Sequence, residues 1–220
     1  MADFFNPTPV LPSFRALKWH SNVQILCLLS FSWASLCGPP TYSETRKISV
    51  SIISDPISID GVLDETVWRQ APNIGDLIQR EPDTGQAPSE KTEIKLLRDQ
   101  NNLYVGVVAY DAEPEKIVGN NMTRDASTRT QDTIQFILDT FNDRRNAYYF
   151  ATNPSGALID GLVFGDLNLN PDWNAIWELR TIRSETGWVS EFSIPLKSLN
   201  FPVNVDVWGF NISRMIFRKI

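Results

Sequence analysis

Between Gln131 and Asn153 the sequence QDTIQFILDTFNDRRNAYYFATN reads as two strands around a turn. Ile134, Phe136 and Leu138 alternate with Gln135, Ile137 and Asp139. That two-residue period belongs to a strand with one buried face. Residues 140–145 then hold Asn142 and Asp143, which favour turns because their side chains bond their own backbone. Asn146–Thr152 returns rich in aromatics, which pack well on a pleated surface. Such a stretch folds as an antiparallel hairpin, expected at the centre of a sheet.

The rest of the chain repeats the pattern. Residues 48–53, 93–98, 103–110, 157–163, 176–183, 188–194 and 208–212 all carry strand periodicity. Residues 103–110 are apolar on both faces, which suits an inner strand. Single helical turns are expected at residues 64–68, capped by Asp64, at 113–116 and at 195–199. Residues 81–89, 120–130 and 165–172 read as loops. About nine strands with short connections describe an all-β fold, an antiparallel β-sandwich of immunoglobulin or jelly-roll type. The arrangement of the chain's end, directly after a strand, suggests a truncated C-terminus.

Composition narrows the chemistry. The net charge of -6 argues against a nucleic-acid partner, which needs clustered Lys and Arg. Cys27, Cys37 and His20 are the only residues of their kinds, and all lie in the first forty positions. Beyond Gly38, Ser-His or Cys-His catalysis and ordinary Cys/His zinc sites are therefore excluded. A metal there would be a hard cation held by oxygen, such as calcium. Arg15, Lys18 and His20 precede an apolar run at residues 23–36, with Gly38-Pro39-Pro40 after it. That layout reads residues 1–45 as a secretory signal peptide, or else as a disordered leader, ahead of a sandwich domain at 46–220. A signal would place the mature protein outside the cytoplasm: periplasmic, outer membrane-associated or extracellular.

The motifs Ile59-Asp60-Gly61-Val62-Leu63-Asp64-Glu65-Thr66-Val67-Trp68, Asn102-Leu103-Tyr104-Val105-Gly106-Val107 and Gln131-Asp132-Thr133-Ile134-Gln135-Phe136-Ile137-Leu138-Asp139 resemble family 9 carbohydrate-binding modules. Asp139-Thr140-Phe141-Asn142-Asp143-Arg144-Arg145-Asn146-Ala147-Tyr148, Asn153-Pro154-Ser155-Gly156, Asp160-Gly161 and Trp208-Gly209-Phe210-Asn211 are similar to a related group of bacterial domains. In that group the sandwich is exported and is usually followed by an outer-membrane barrel. The resemblance implies a module that binds a glycan or polysaccharide without cutting it, in the service of carbohydrate catabolism. Hydrolysis of glycosyl bonds commonly accompanies such modules, and some carry calcium. It also implies two tryptophans around the sugar, with a Glu and an Arg on its hydroxyls. At those places this chain has Arg129, the turn Ile194-Pro195-Leu196-Lys197, Gln135 and Phe150.

The residues offer their own candidates. Sugars bind flat aromatic faces ringed by planar polar groups. Trp173 and Trp177 are the nearest such aromatics, with Arg129, Gln135 and Arg144 as polar partners. Core packing is the competing role for both tryptophans, and solvation that for the arginines. Asp166, Asn168, Asn170 and Asp172 alternate as calcium ligands do, or as any solvated loop does. Asp132, Asp139, Asp160, Asp166 and Glu178 are the acids from which a glycosidase pair would come. Three functions follow: a binding module, an interaction domain for a barrel partner with no sugar site, and a carboxylate-based glycoside hydrolase.

Overall fold

The computed structural model describes residues 13–16, 47–75, 77–165 and 168–220. The reading of residues 1–45 as a leader lies outside the described residues, apart from a strand, β1, at Ser13–Ala16. The remaining strands are β2 (Lys47–Ile48), β3 (Ser51–Ile52), β4 (Thr92–Arg98), β5 (Asn102–Tyr110), β6 (Thr133–Asp139), β7 (Asn146–Thr152), β8 (Ile159–Phe164), β9 (Asn168–Asn170), β10 (Glu178–Ser184), β11 (Gly187–Pro195) and β12 (Val207–Met215). One short helix, α1, spans Thr66–Gln70.

The strands form two sheets, the layered solution of an all-β chain with one apolar face per strand. Sheet A has the order β2-β1-β12-β6-β7-β8-β9, and sheet B the order β10-β11-β5-β4-β3. Pairing is antiparallel except between β1 and β12 and between β3 and β4. The β6–β7 hairpin sits near the middle of sheet A, with Phe136 opposite Phe150. Both rings face inward. Phe136 stacks on Phe150 at 5.5 Å and meets Phe192 of sheet B edge-on at 5.1 Å, so it joins the two layers.

Some elements depart from expectation. The strand expected at 48–53 divides between the two sheets as β2 and β3. The loop expected at 165–172 contains β9, whose Leu169 pairs with Val163 at the sheet edge. Asp64 does not cap α1; Glu65 holds that position, without a side-chain bond.

The outer face of β5 shows why that strand is apolar on both sides. A second, smaller core of Ile53, Trp68, Ala71, Leu97 and Tyr104 covers it, with Leu63 packed alongside. Leu63 and Trp68 press directly on Gly106, where an added Cβ would lie 2.9 and 3.1 Å from them. Glu191 of β11, wholly buried, fastens the same segment. Its Oε2 accepts the Asp60 and Gly61 N–H groups at 3.0 Å each, and its Oε1 accepts Trp68 Nε1–H at 2.9 Å. Gly61 adopts φ +90, a left-handed conformation that costs a side-chain-bearing residue about 1–2 kcal/mol. The Ile59–Trp68 motif is therefore a lid locked onto sheet B.

Candidate functional site

That lid covers the outer face of sheet B around Gly106 and Glu191 and leaves Glu93, Val108, Val189 and Ile182 partly exposed. The corresponding face of sheet A is partly exposed over β6 and β12, although Thr133 and Ala151 on it are buried. Register places Thr133, Gln135 and Ile137 of β6, Tyr149 and Ala151 of β7, and Asn211 and Ser213 of β12 on it. A polar row crosses three strands. The Tyr149 hydroxyl donates to Gln135 Oε1 at 2.8 Å, and Gln135 Nε2 donates to Ser213 Oγ at 3.0 Å. Burial pushes the Tyr149 hydroxyl up to about 12, so it stays a neutral donor at any ordinary pH. Gln135 and Tyr149 are half-buried and Ser213 is exposed. An amide so placed offers planar donor and acceptor groups, which suit hydroxyls.

The loop between β5 and β6 borders this face. Ala126 packs on Ala151, Ala157 and Ile159, with Tyr149 beside them. Asn153 ties the loop down: its Nδ2 donates to Gln131 Oε1 at 2.9 Å and to the Asn121 carbonyl at 2.6 Å. Arg124 adds a charged anchor, donating to buried Asp160 at 2.5 Å and to Asn174 at 2.8 Å. Burial raises the Asp160 carboxyl, against the lowering by the Ala175 N–H and the Arg124 charge.

The structure separates the residues that sequence had grouped. Trp177 is buried, stacked on Phe192 at 5.8 Å and edge-on to Phe150 at 5.3 Å. Trp173 is half-buried against Tyr148 at 5.0 Å. Both belong to the inner core, and every described tryptophan lies in or against a core. Gln135 stands on the outer face of sheet A. Arg129 is exposed in the loop that leads into β6, and Arg144 is exposed in the hairpin turn at that strand's other end. Seven residues of strand span about 23 Å, so the two arginines do not share a site. Phe150 faces the core; the outward residue opposite Gln135 is Ala151.

The proposed calcium loop also comes apart. Asp166 lies outside the described residues. Asn168 and Asn170 lie on β9, and Asn170 Oδ1 is taken by the Asp172 N–H at 2.9 Å. Among the described residues no group of three or more Asp, Glu, His or Cys is placed to hold a metal.

The acids are employed in holding backbone. Asp132 accepts Phe217 N–H. Asp139 accepts Asp143 and Arg144 N–H, and Asp160 accepts Ala175 N–H. Glu178 lies on β10, in the other sheet. Apart from Asp139, which is turned into the hairpin, the outward positions of β6, β7, β8 and β12 hold no carboxylate. A pair flanking a glycosidic bond is therefore missing from this face. A shallow concavity of about 280 Å³ lies elsewhere, beside the turn at Leu196, lined by Gln100, Asn101, Asn102, Pro195 and Lys197.

Sequence reasoning missed Tyr149, Ser213 and Arg124. The strand parity that makes Phe136 and Phe150 core partners would have turned Tyr149 outward; nothing local marks Ser213 or Arg124.

A family model described as "Carbohydrate family 9 binding domain-like" matches residues 59–217. No curated protein matches the chain. Solved structures similar to it include a family 9 carbohydrate-binding module from Caldicellulosiruptor kristjanssonii in complex with cellotriose. It is 21% identical with a TM-score of 0.50, covering 74% of this chain and 73% of that one. The same module in complex with glucose gives 21% and 0.50, covering 74% of each chain. A proposed carbohydrate-binding protein from Bacteroides uniformis gives 10% and 0.51, covering 68% of this chain and 72% of that one. At these identities the likeness is one of fold.

Proposed function

The chain belongs to the carbohydrate family 9 binding domain-like family, and we propose that it is a non-catalytic carbohydrate-binding domain whose ligand lies on the outer face of sheet A. The observation that carries this reading is the Tyr149–Gln135–Ser213 row, a polar line of side chains on the partly exposed outer face of sheet A. The absence of outward carboxylates there supports binding without hydrolysis. Cellotriose and glucose, the ligands of the similar Caldicellulosiruptor module, are the first sugars to try. The proposal extends to an exported domain serving polysaccharide breakdown at the cell envelope, supported by the n-region, apolar run and small-residue exit of the leader.

One observation favours a second reading, an interaction domain for an outer-membrane barrel partner. The described tryptophans are all occupied by core packing, so the face offers only the half-buried Tyr149 ring for stacking on a sugar.

Titration calorimetry of the folded chain decides between them. A panel of soluble oligosaccharides is titrated in calcium and then in chelator. Saturable heat with one sugar class supports the binding domain, and its loss in chelator reveals a metal requirement. A flat trace across the panel removes the glycan reading and leaves the barrel partner as the one to pursue.

A further inference from the structure

A densely charged cluster, independent of whatever the outer face of sheet A binds, closes the end of the sandwich where β12 finishes. Three successive residues of the turn Phe217–Lys219 each meet an acid from a different place. The Phe217 N–H donates to Asp132 Oδ1 at 2.7 Å. Arg218 donates to both oxygens of Asp111, at 2.9 and 2.5 Å. Lys219 Nζ donates to Glu90 Oε1 at 2.6 Å. Beneath them lies Arg214, whose side chain is 3% exposed. Its Nη1 crosses to sheet B, donating to the Lys91 carbonyl at 3.1 Å and to Thr92 Oγ1 at 3.2 Å.

Three buried groups in this cluster are left incomplete, one of them Arg218 at its Nε, which lies 3.7 Å from Glu113 Oε2. Arg214 Nε and Nη2 have no hydrogen-bond acceptor among the described residues, and Asp132 Oδ2 has no donor. Arg214 Nη2 lies 3.7 Å from Asp111 Oδ2, an ion pair but too long for a hydrogen bond. Buried polar atoms are almost always satisfied, by protein or by ordered water. Nε and Nη2 form one edge of the planar guanidinium, and that edge grips an acceptor with two parallel N–H bonds.

Charge decides what the acceptor is. Asp111 pairs with Arg214 and Arg218, Glu90 pairs with Lys219, and Asp132 feels the charges of Arg214 and Arg218, with Glu113 at the rim between Lys116 and Arg218. The inner groups balance, three against three. An anion on the Arg214 edge would meet Asp111 and Asp132, and a cation on Asp132 would meet Arg214. A neutral molecule with both lone pairs and hydrogens fits, and water is the smallest.

We propose that one water molecule is bound here, accepting from Arg214 Nε and Nη2 and donating to Asp132 Oδ2, and that this hydrated cluster clamps the Phe217–Lys219 turn across the end of the sandwich. The clamp couples the start of β6, which carries Gln135, to the end of β12, which carries Ser213.

A high-resolution crystal structure of the full chain tests the site. An ordered water within about 3.2 Å of both Arg214 and Asp132 Oδ2 is expected. A direct Asp132–Arg214 hydrogen bond, or an empty gap, overturns it. Hydrogen exchange tests the clamp. In Asp132→Leu, exchange over residues 214–220 is expected to accelerate at least tenfold while residues 102–110 are unchanged; unaltered exchange over 214–220 overturns the fastening role. Arg218→Gln, which leaves the buried pair in place, covers the case in which Asp132→Leu fails to fold. Faster exchange confined to 217–219 then supports the clamp, and unchanged exchange rejects it.

Discussion

Gln135 owes its value to its neighbours. Alone on a strand it would sample several rotamers; held by the Tyr149 hydroxyl and Ser213 it presents one orientation. Gln135→Ala is expected to weaken glycan binding at least tenfold, about 1.4 kcal/mol, with folding unaltered, as calorimetry and circular dichroism together will show. Tyr149→Phe removes the pin and keeps the ring, so a smaller loss of affinity is expected. Glu191 is the opposite kind of residue, structural and far from solvent. Burial raises its carboxyl, against three N–H donors and beside Glu65. Glu191→Ala leaves those donors unsatisfied in the interior, at about 1–3 kcal/mol each. Denaturant titration is expected to show a loss of roughly 3 kcal/mol or more. Gln135 was a candidate in the sequence, but its pinning was not legible, because an alternating strand does not announce which outward residues will pair; Glu191 was not legible because it lies 130 residues from Gly61.

The β6–β7 hairpin was the most legible element, and its turn explains why Arg144-Arg145 stands there. Asp139 Oδ1 and Oδ2 accept the Asp143 and Arg144 N–H groups at 3.2 and 2.8 Å, while Asp143 Oδ1 accepts those of Arg145 and Asn146. The turn uses the arginine backbone, through the N–H groups of Arg144 and Arg145. Asp139→Ala is therefore expected to destabilise by about 1–3 kcal/mol, measured by chemical denaturation. Arg144→Gly is expected to be neutral or slightly stabilising, because Arg144 holds φ +59; a loss comparable to Asp139→Ala would refute this account of the turn. The short strand β9 escaped notice because Asn-Leu-Asn carries no strand signal, and its pairing with β8 is a tertiary matter. Sequence left Trp177 between sugar contact and core packing for a related reason, and the structure buries it. Periodicity shows that a residue alternates, but not whether its side points between the sheets.

Across the whole molecule the acids divide into two classes. Burial raises Asp111, but its Arg218 bonds, the Glu113 N–H and the Arg214 charge outweigh that and hold it below the ordinary range. Asp99 is likewise lowered on balance, by the Tyr104 hydroxyl and the Asn101 and Asn102 N–H groups. Stability from these two is present above the unfolded carboxyl value, about 3.9, and is lost as pH falls through their folded values. Asp132, Asp139 and Glu191 are raised by burial, so their contribution is present at low pH and is lost as pH rises through their folded values. Acid unfolding below about pH 4 should therefore depend on Asp111 and Asp99. Asp111→Asn is expected to flatten that limb of the stability curve at a cost in stability at neutral pH. An unchanged acid limb would count against the ion cluster's role. Sandwich architecture was readable from alternation because each strand needs only one apolar face. The exposed part of sheet A was not, because what covers each sheet's outer face is decided by contacts distant in sequence.

The most direct test of glycan binding on the outer face of sheet A is a residue-resolved nuclear magnetic resonance titration of the folded chain with cellotriose. The account predicts saturable shifts gathered on residues 133–137, 149–151 and 211–215. No shifts at saturating sugar, or shifts confined to the concavity at Gln100, Asn101, Asn102 and Lys197, would contradict it.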